Sequence, residues 1–578
     1  MTSELARPAL ELRTGPDAGS ERANPLDLDR RVFDLLVGRG VVDPEAQARL
    51  LDPRLAQLRK PVAMAGFEPA RDLLADALER GTRIGIFGDY DVDGVTTATI
   101  LSTFLEALGG DVVCRVAERD AGYGFGVAAA REFHECGCGL VLTGDCGTSD
   151  IEAISWLKER GIPVAVIDHH QAPEVMPPTA ALLNPHQPGC KFPFKGLCSA
   201  GVAFYLCAAL RTEMGRRRAG SRLPDPRAWL DLVALGTVCD MVPMVEENRV
   251  LTHHGLEFMQ QRRRPGIRAL LERARVGSEV RLDESHLGFT LGPRLNAPGR
   301  LSGAEPSLSL LRARSDADAA GFAAEVEMFN TRRREAQRRI AAEAAAILAA
   351  DPATEGRSGI VVAHQGWEAG VVGIAANGIV DRYRRPTLVL ALDSRAGEAR
   401  GSARSYGDID VRAALAECEP ILTRFGGHKA AAGVSLPVDK VPELVEAFDA
   451  AVAKQVSDGD RLGDPRLVHD GVLELVEVNR ELLAQLDRVR PFGVGFDPPQ
   501  YVCEDARVVS VRRIKNEHLA LSLAQSGATL EGMLFGGAAL PIERGDVIGA
   551  AFTPQLRSWG GRTQVELRLE TLWSGSVN

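Results

Sequence analysis

Several things are scarce in this sequence, and each scarcity narrows what the chain can be. Its ten cysteines among 578 residues include no C-x-x-C pair, which argues against a disulfide-stapled scaffold and for a reducing compartment. No apolar run approaches the ~18–20 residues that a membrane span needs, so no membrane association is expected. The stretch Met1 to Gly19 has no basic segment followed by an apolar one, so no secretory signal is expected and the predicted location is cytoplasmic. Aromatic residues are only 5% of the chain, which leaves few rings for stacking. Basic charge is not in excess either. With 68 Lys+Arg against 78 Asp+Glu the net charge is −10, so any anion binding must come from local patches. What remains, 45% apolar and 25% charged, is ordinary globular composition at a length suited to roughly three or four domains.

The patterning is that of an α/β protein. Residues 1–55 read as a polar lead-in with one amphipathic stretch, Leu26 to Val37. Between 56 and 314, short apolar runs at Arg83–Gly88, Asp111–Val116, Gly139–Thr143 and Pro163–Ile167 alternate with helical spacing, which predicts a parallel sheet covered on both faces. From Ser315 to Ala350 the composition turns to Ala, Glu and Arg, predicting a long exposed connector helix over 315–352. A smaller α/β segment follows over 353–456. Five strand-like runs over 465–578 suggest a β-barrel of the OB type.

The chemistry-bearing residues fall where predicted strands end. After the first run comes Gly88-Asp89-Tyr90-Asp91-Val92-Asp93-Gly94, after the third Thr143-Gly144-Asp145-Cys146-Gly147, and after the fourth Asp168-His169-His170. A helix over Trp229 to Val238 runs into Cys239-Asp240-Met241. The carboxyl edge of an open α/β sheet is its binding crevice. Carboxylates gathered there repel one another unless divalent cations neutralise them, and Asp/His donors without thiolate favour Mn²⁺ or Mg²⁺. An EF-hand is excluded, because the position eleven residues after Asp89 is Ile100 and not Glu. Any one of these aspartates alone reads equally well as a helix N-cap, but all of them together do not. Cys136-Gly137-Cys138 reads as a turn with small thiols, Cys146 as a packed small residue, and His253-His254 as an ordinary helix surface.

In that order these motifs resemble the DHH phosphoesterase superfamily and, within it, the RecJ family of single-strand-specific DNA exonucleases. Gly292-Pro293-Arg294-Leu295-Asn296-Ala297-Pro298-Gly299-Arg300-Leu301, Gly401-Ser402-Ala403-Arg404-Ser405 and Gly426-Gly427-His428-Lys429-Ala430-Ala431-Ala432-Gly433 extend the likeness over roughly residues 60 to 575. The chain departs from the family pattern at Glu368, where His is usual, and at Phe496, where Asn is usual. It departs also before Gly122-Tyr123-Gly124, where Arg119 stands one residue closer to Tyr123 than usual.

The resemblance implies a DHH catalytic domain over 56–314, a DHH-associated domain over 353–456 and a pair of Mn²⁺ or Mg²⁺ ions. Asp91, Asp93, Asp145, His169 and Asp240 are the implied ligands, with Asp145 shared between the ions and with Asp89 and His170 adjoining. Asp168 is expected to orient a neighbouring imidazole. For substrate phosphate and DNA, the implied residues are Arg119, Tyr123, Arg294, Asn296, Arg300, Ser402, Arg404, Gly427 and His428. The implied activity is 5′→3′ release of 5′-mononucleotides from single-stranded DNA in repair and recombination, with a single-strand-binding protein and a helicase as partners. The alternative is a DHH phosphodiesterase of short oligonucleotides or cyclic dinucleotides, which would need neither a C-terminal barrel nor the basic run Asn330–Arg339, with its five Arg and one Glu.

Overall fold

Five parallel strands, in the order Val112–Val116, Ile84–Gly88, Leu140–Gly144, Val164–Ile167 and Ala181–Leu183, form a sheet of the four expected strands plus a short fifth, Ala181–Leu183, that the apolar runs did not mark. They are seen in a computed structural model that describes residues 5, 7–14, 24–118, 124–457, 466–559 and 562–575. The central strands are buried along their whole length, as a sheet clad on both faces requires. The helix Val92–Ala107 is apolar on nearly every side because the sheet and two more helices, Ser199–Arg217 and Leu230–Cys239, enclose it.

The connector helix spans Asp316–Ala350, its N-terminus capped by the Ser315 hydroxyl, which accepts from Asp318 N–H at 3.1 Å. It differs from the expected exposed helix. A stripe of Ala319, Ala323, Val326, Asn330, Arg333, Ala336, Ile340, Ala344 and Leu348 is buried along its length. Small alanines let this face approach Gly292–Leu301, Pro265–Arg273 and Val372–Tyr383 closely, so the helix is a shared wall between two lobes.

The second lobe is a five-stranded mixed sheet in which only Ile360–Gln365 and Thr387–Asp393 pair in parallel. At the C-terminal end, Tyr501–Ile514, His518–Gln525, Ala528–Leu534, Arg562–Ser574 and Val547–Trp559 form a ring, closed by pairing of the first with the last. The N-terminal amphipathic stretch forms the helix Arg30–Gly38, and its Val32, Phe33, Leu35 and Leu36 are buried in the same core as the barrel's Tyr501, Leu521 and Phe552. Phe552 is therefore core, whereas Phe535 stands 61% exposed.

Candidate metal centre

The sheet register builds the site. Gly88 pairs with Gly144, and Gly144 with Ile167, so the three strands end level. The next residue in each is Asp89, Asp145 and Asp168, and strand spacing alone sets each about 5 Å from its neighbour, with Asp145 in the middle. Asp93 enters from the first turn of the helix Val92–Ala107, while Asp240 caps the C-terminus of Leu230–Cys239. A carboxylate at a helix C-terminus opposes the helix dipole, so Asp240 is not there to stabilise its own helix.

The side chains converge on His169. Its Nε2 lies 3.3 Å from Asp145 Oδ1, 3.3 Å from Asp240 Oδ2 and 4.0 Å from Asp93 Oδ2. Donor atoms of Asp93, His169 and Asp240, of Asp145, His169 and His170, and of Asp89, Asp91 and Asp145 form three groups, each compact enough to hold one ion. Asp145 and His169 each belong to two of them. Among the described residues, Asp89 Oδ1, His169 Nε2 and Asp240 Oδ2 are buried without a hydrogen-bond partner. Hard oxygen donors, an imidazole and orphaned buried atoms fit a divalent-cation site.

The electrostatics agree. Burial, reinforced by neighbouring carboxylates, pushes Asp89, Asp145 and Asp240 above the usual carboxylate range. Burial also raises Asp93, against the charge of His169. Burial lowers His169, so its ring is neutral and its nitrogen free to coordinate. Asp168 behaves oppositely. Burial alone would raise it, but the hydrogen bond and charge of His170 hold it well below the ordinary range. Its Oδ1 accepts from His170 Nδ1 at 2.8 Å and from His169 N–H at 2.7 Å, and its Oδ2 from Thr148 N–H at 3.2 Å. Burial opposes protonation of His170, yet Asp168 and the other acids outweigh it and push that ring up to about 9.

Two readings of Asp91 hold together. Its Oδ1 accepts from Gly94 N–H at 3.0 Å, an N-cap, while the residue also belongs to a metal-compatible group. Asp93 ties two helices, its carboxylate accepting from Ser199 N–H at 2.7 Å and Ala200 N–H at 3.0 Å at the start of Ser199–Arg217. Ser199 Oγ donates to Asp145 Oδ1 at 3.0 Å. Asn184 Nδ2 donates to Thr148 Oγ1 at 3.0 Å and to the His170 carbonyl at 2.8 Å, bracing the Asp-His-His turn. Sequence reasoning passed over both Ser199 and Asn184; the only signals were a Ser opening a helix and an Asn directly after a strand.

The residues expected to contact substrate are spread over three elements. Asn296 Oδ1 accepts from Val92 N–H at 3.1 Å and so steadies the loop carrying Asp91 and Asp93. Arg294 is ion-paired with Glu327 at 2.6 Å, and Arg300 reaches the Gly370 carbonyl at 3.4 Å. Arg404 donates to Ser402 Oγ and the Ala403 carbonyl, and Gly373 leaves room for them: a Cβ there would lie 2.8 Å from Arg404 Nη2. Gly427, at φ 138°, and exposed His428 form the turn of the hairpin joining Arg424–Gly427 to Ala431–Pro437. Arg119 and Tyr123 lie outside the described residues. Cys146 is buried, and burial pushes its thiol up, as expected of a packed small residue.

Three family models match: the DHH family N-terminal domain over 83–237, the DHHA1 domain over 356–454 and the RecJ OB domain over 469–571. The single-stranded-DNA-specific exonuclease RecJ of Escherichia coli K12 is 32% identical over 568 residues, covering 95% of this chain and 96% of its own. The chain belongs to the RecJ family. The Haemophilus influenzae RecJ exonuclease is 35% identical over 503 residues, covering 84% of this chain and 86% of its own. The crystal structure of RecJ from Thermus thermophilus in complex with Mn²⁺ superposes with a TM-score of 0.80 at 28% identity, over 98% of this chain and 80% of that one. A further RecJ structure from the same organism was solved with Mg²⁺. Among the described residues, no helix is long and apolar enough to cross a membrane.

Proposed function

We propose that this RecJ-family chain is a metal-dependent exonuclease specific for single-stranded DNA, cutting from the 5′ end and releasing 5′-mononucleotides in repair and recombination. The observation that carries the reading is the level ending of three strands, which sets Asp89, Asp145 and Asp168 side by side under His169 and Asp240. Asp89, Asp91, Asp93, Asp145, His169 and Asp240 would hold two divalent cations, Mn²⁺ or Mg²⁺, with Asp145 common to both. When bound, the pair supplies a hydroxide-like nucleophile at neutral pH and neutralises the phosphoryl oxygens. The chain's own residues do the rest. Asp168 fixes the His170 ring, and its acceptance of both histidine N–H groups sets the direction of His169. Asn184 keeps that turn from relaxing, and Ser199 holds Asp93 and Asp145, when the ligands repel.

Phosphate binding is assigned to Arg300, Ser402, Arg404, Gly427 and His428, with Arg119 and Tyr123 in the same role. Supporting this, Arg404 has no carboxylate within ion-pairing distance among the described residues, and burial lowers its pKa, as in a guanidinium awaiting an anion. The domain divisions follow as 56–314 for catalysis, 315–352 as connector, 353–456 for the terminal phosphate and 465–578 for the strand, with 1–55 leading in. A cytoplasmic location and partnership with a single-strand-binding protein and a helicase complete the reading.

A direct test incubates a 5′-phosphorylated 30-mer, a dinucleotide and a circular single strand with Mn²⁺, with and without chelator. Stepwise shortening of the linear 30-mer alone, abolished by chelator, is expected. Cutting of the circle would remove end recognition, and turnover of the dinucleotide alone would favour a short-oligonucleotide phosphodiesterase.

A further inference from the structure

The helix Val92–Ala107 carries Asp93 in its first turn and Glu106 in its last, about 20 Å away at a rise of roughly 1.5 Å per residue. The helix Leu230–Cys239 is arranged likewise, with Asp240 closing its C-terminus and Asp231 in its first turn. Glu106 and Asp231 line one pocket of about 590 Å³, at the ends of both helices that lie away from the metal centre. That volume suits a small organic ligand.

The wall of this pocket is cationic, in a chain whose net charge is −10. Arg262, Arg263, Arg264, Arg312 and Arg314 stand against two carboxylates, an excess of three positive charges. Both acids are already engaged. Glu106 lies 2.6 Å from Arg312 and 2.8 Å from Arg314, and Asp231 accepts from Arg264 through both oxygens, at 2.8 and 3.0 Å. The Arg262 guanidinium reaches only the carbonyls of Val276 and Gly277, and its Nε is buried with no partner among the described residues. Arg263 is exposed, and among the described residues its guanidinium has no partner. Like charges gathered without counter-charge repel, and planar guanidiniums are the donors that bind phosphate oxygens in pairs. The first turn of the helix Pro265–Arg273 lines the same wall through Pro265 and Ile267, so the positive end of its dipole adds to the charge. Two half-buried rings, Trp229 and Phe258, complete the lining. Trp229 Nε1 donates to Thr103 Oγ1 at 2.7 Å and its ring stands edge-on to Phe104, centroids 5.2 Å apart, so the indole is fixed before any ligand arrives.

We propose that this pocket binds a nucleotide carrying more than one phosphate, its phosphates on the arginines and its base against Trp229 and Phe258. A nucleoside diphosphate brings about three negative charges near neutral pH, matching the excess, where a monophosphate brings about two. A DNA strand fits less well, because it spaces its charges one to a nucleotide while this wall concentrates its guanidiniums in one pocket. The site is separate from the metal centre and from the phosphate-binding residues assigned above, and it does not depend on the exonuclease reading.

The test is isothermal titration of the full chain in chelator with ADP, AMP and inorganic pyrophosphate as probes, alongside thermal melts. ADP is expected to bind roughly tenfold tighter than AMP, which lacks a phosphate, and than pyrophosphate, which lacks the base. Arg263→Glu, at an exposed position with no partner to lose, weakens ADP roughly tenfold or more at an unchanged melting temperature. Glu106→Gln acts the other way. Released from their carboxylate, Arg312 and Arg314 turn to the ligand, and ADP binds about threefold tighter, a gain that local damage does not produce. A fluorescein-labelled, 5′-phosphorylated 12-mer binds Arg263→Glu as it binds the wild type. Failure of ADP to bind, an unaltered ADP affinity in Arg263→Glu, or weaker ADP binding in Glu106→Gln overturns the inference. So does a loss of 12-mer affinity in Arg263→Glu, which would make the patch a strand contact.

Discussion

Asp145 combines a left-handed backbone, φ 63°, with a carboxylate buried among Asp91, Asp93 and Asp240. Both features cost folding energy and neither helps a metal-free protein. Asp145→Asn is therefore expected to melt higher than wild type in chelator, and to lose ~10³-fold or more in rate. Mn²⁺ at a hundred times its dissociation constant stabilises a one-site protein by about 2.7 kcal/mol, and differential scanning fluorimetry should show that gain shrinking in the variant. Asp168→Asn acts indirectly, releasing the imidazole it holds, with an expected ~10–100-fold drop in Mn²⁺ affinity by isothermal titration. These aspartates were legible in the sequence because each follows a short apolar run, where a carboxylate has no packing reason to be. Ser199 and Asn184 were not, because a hydroxyl opening a helix and an amide in a turn look the same whether or not they brace a metal ligand. The family departures resolve into two different cases. Glu368 accepts bidentately from Arg339 with both side chains well exposed, so Glu368→Gln should change stability by less than about 1 kcal/mol. Phe496 is buried with Arg39 and Arg249 each 5.0 Å from its ring centre, and Phe496→Ala should cost about 3–5 kcal/mol in chemical denaturation.

Among the elements, the parallel sheet was readable from apolar runs punctuated by glycine, and its strand ends fell within a residue or so of expectation. The connector helix was readable in extent but not in burial. Its inward stripe holds four alanines, one asparagine and one arginine among nine residues, with only Val326, Ile340 and Leu348 large and apolar, too sparse a pattern to mark a buried face until a partner surface is known. The helix Gly292–Leu301 shows how an element away from the ligands still sets them. A Cβ on Gly299 would sit 2.5 Å from the Tyr90 carbonyl oxygen, one residue before Asp91. Gly299→Ala must push that loop, at an overpacking cost of about 1–3 kcal/mol. The expected signature is a raised Mn²⁺ requirement for activity, with secondary structure unchanged by circular dichroism; an unaltered Mn²⁺ titration would show that the loop yields freely.

Across the whole chain, sequence order and spatial order part company. The N-terminal helix Arg30–Gly38 packs into the barrel core, which begins at Tyr501, 463 residues beyond Gly38 along the chain. Arg39 seals the junction: its guanidinium donates to both carboxylate oxygens of Asp470, at 3.2 and 2.8 Å, with both side chains almost wholly buried. A local reading had no means of joining these segments, since each carries only an unremarkable amphipathic pattern. The consequence bears on any attempt to isolate the barrel's contribution. Deleting residues 465–578 alone leaves Val32, Phe33, Leu35 and Leu36 facing water, a burden of roughly 1.5–3 kcal/mol for each large side chain and an invitation to aggregate. Removing residues 1–52 together with 465–578 takes away both halves of that core. The double truncation is expected to be the more soluble of the two by size-exclusion chromatography, and to lose more activity on a 30-mer than on a tetranucleotide as its salt dependence flattens. If the single truncation is equally soluble, the N-terminal helix contributes little to that core, and the barrel folds independently of it.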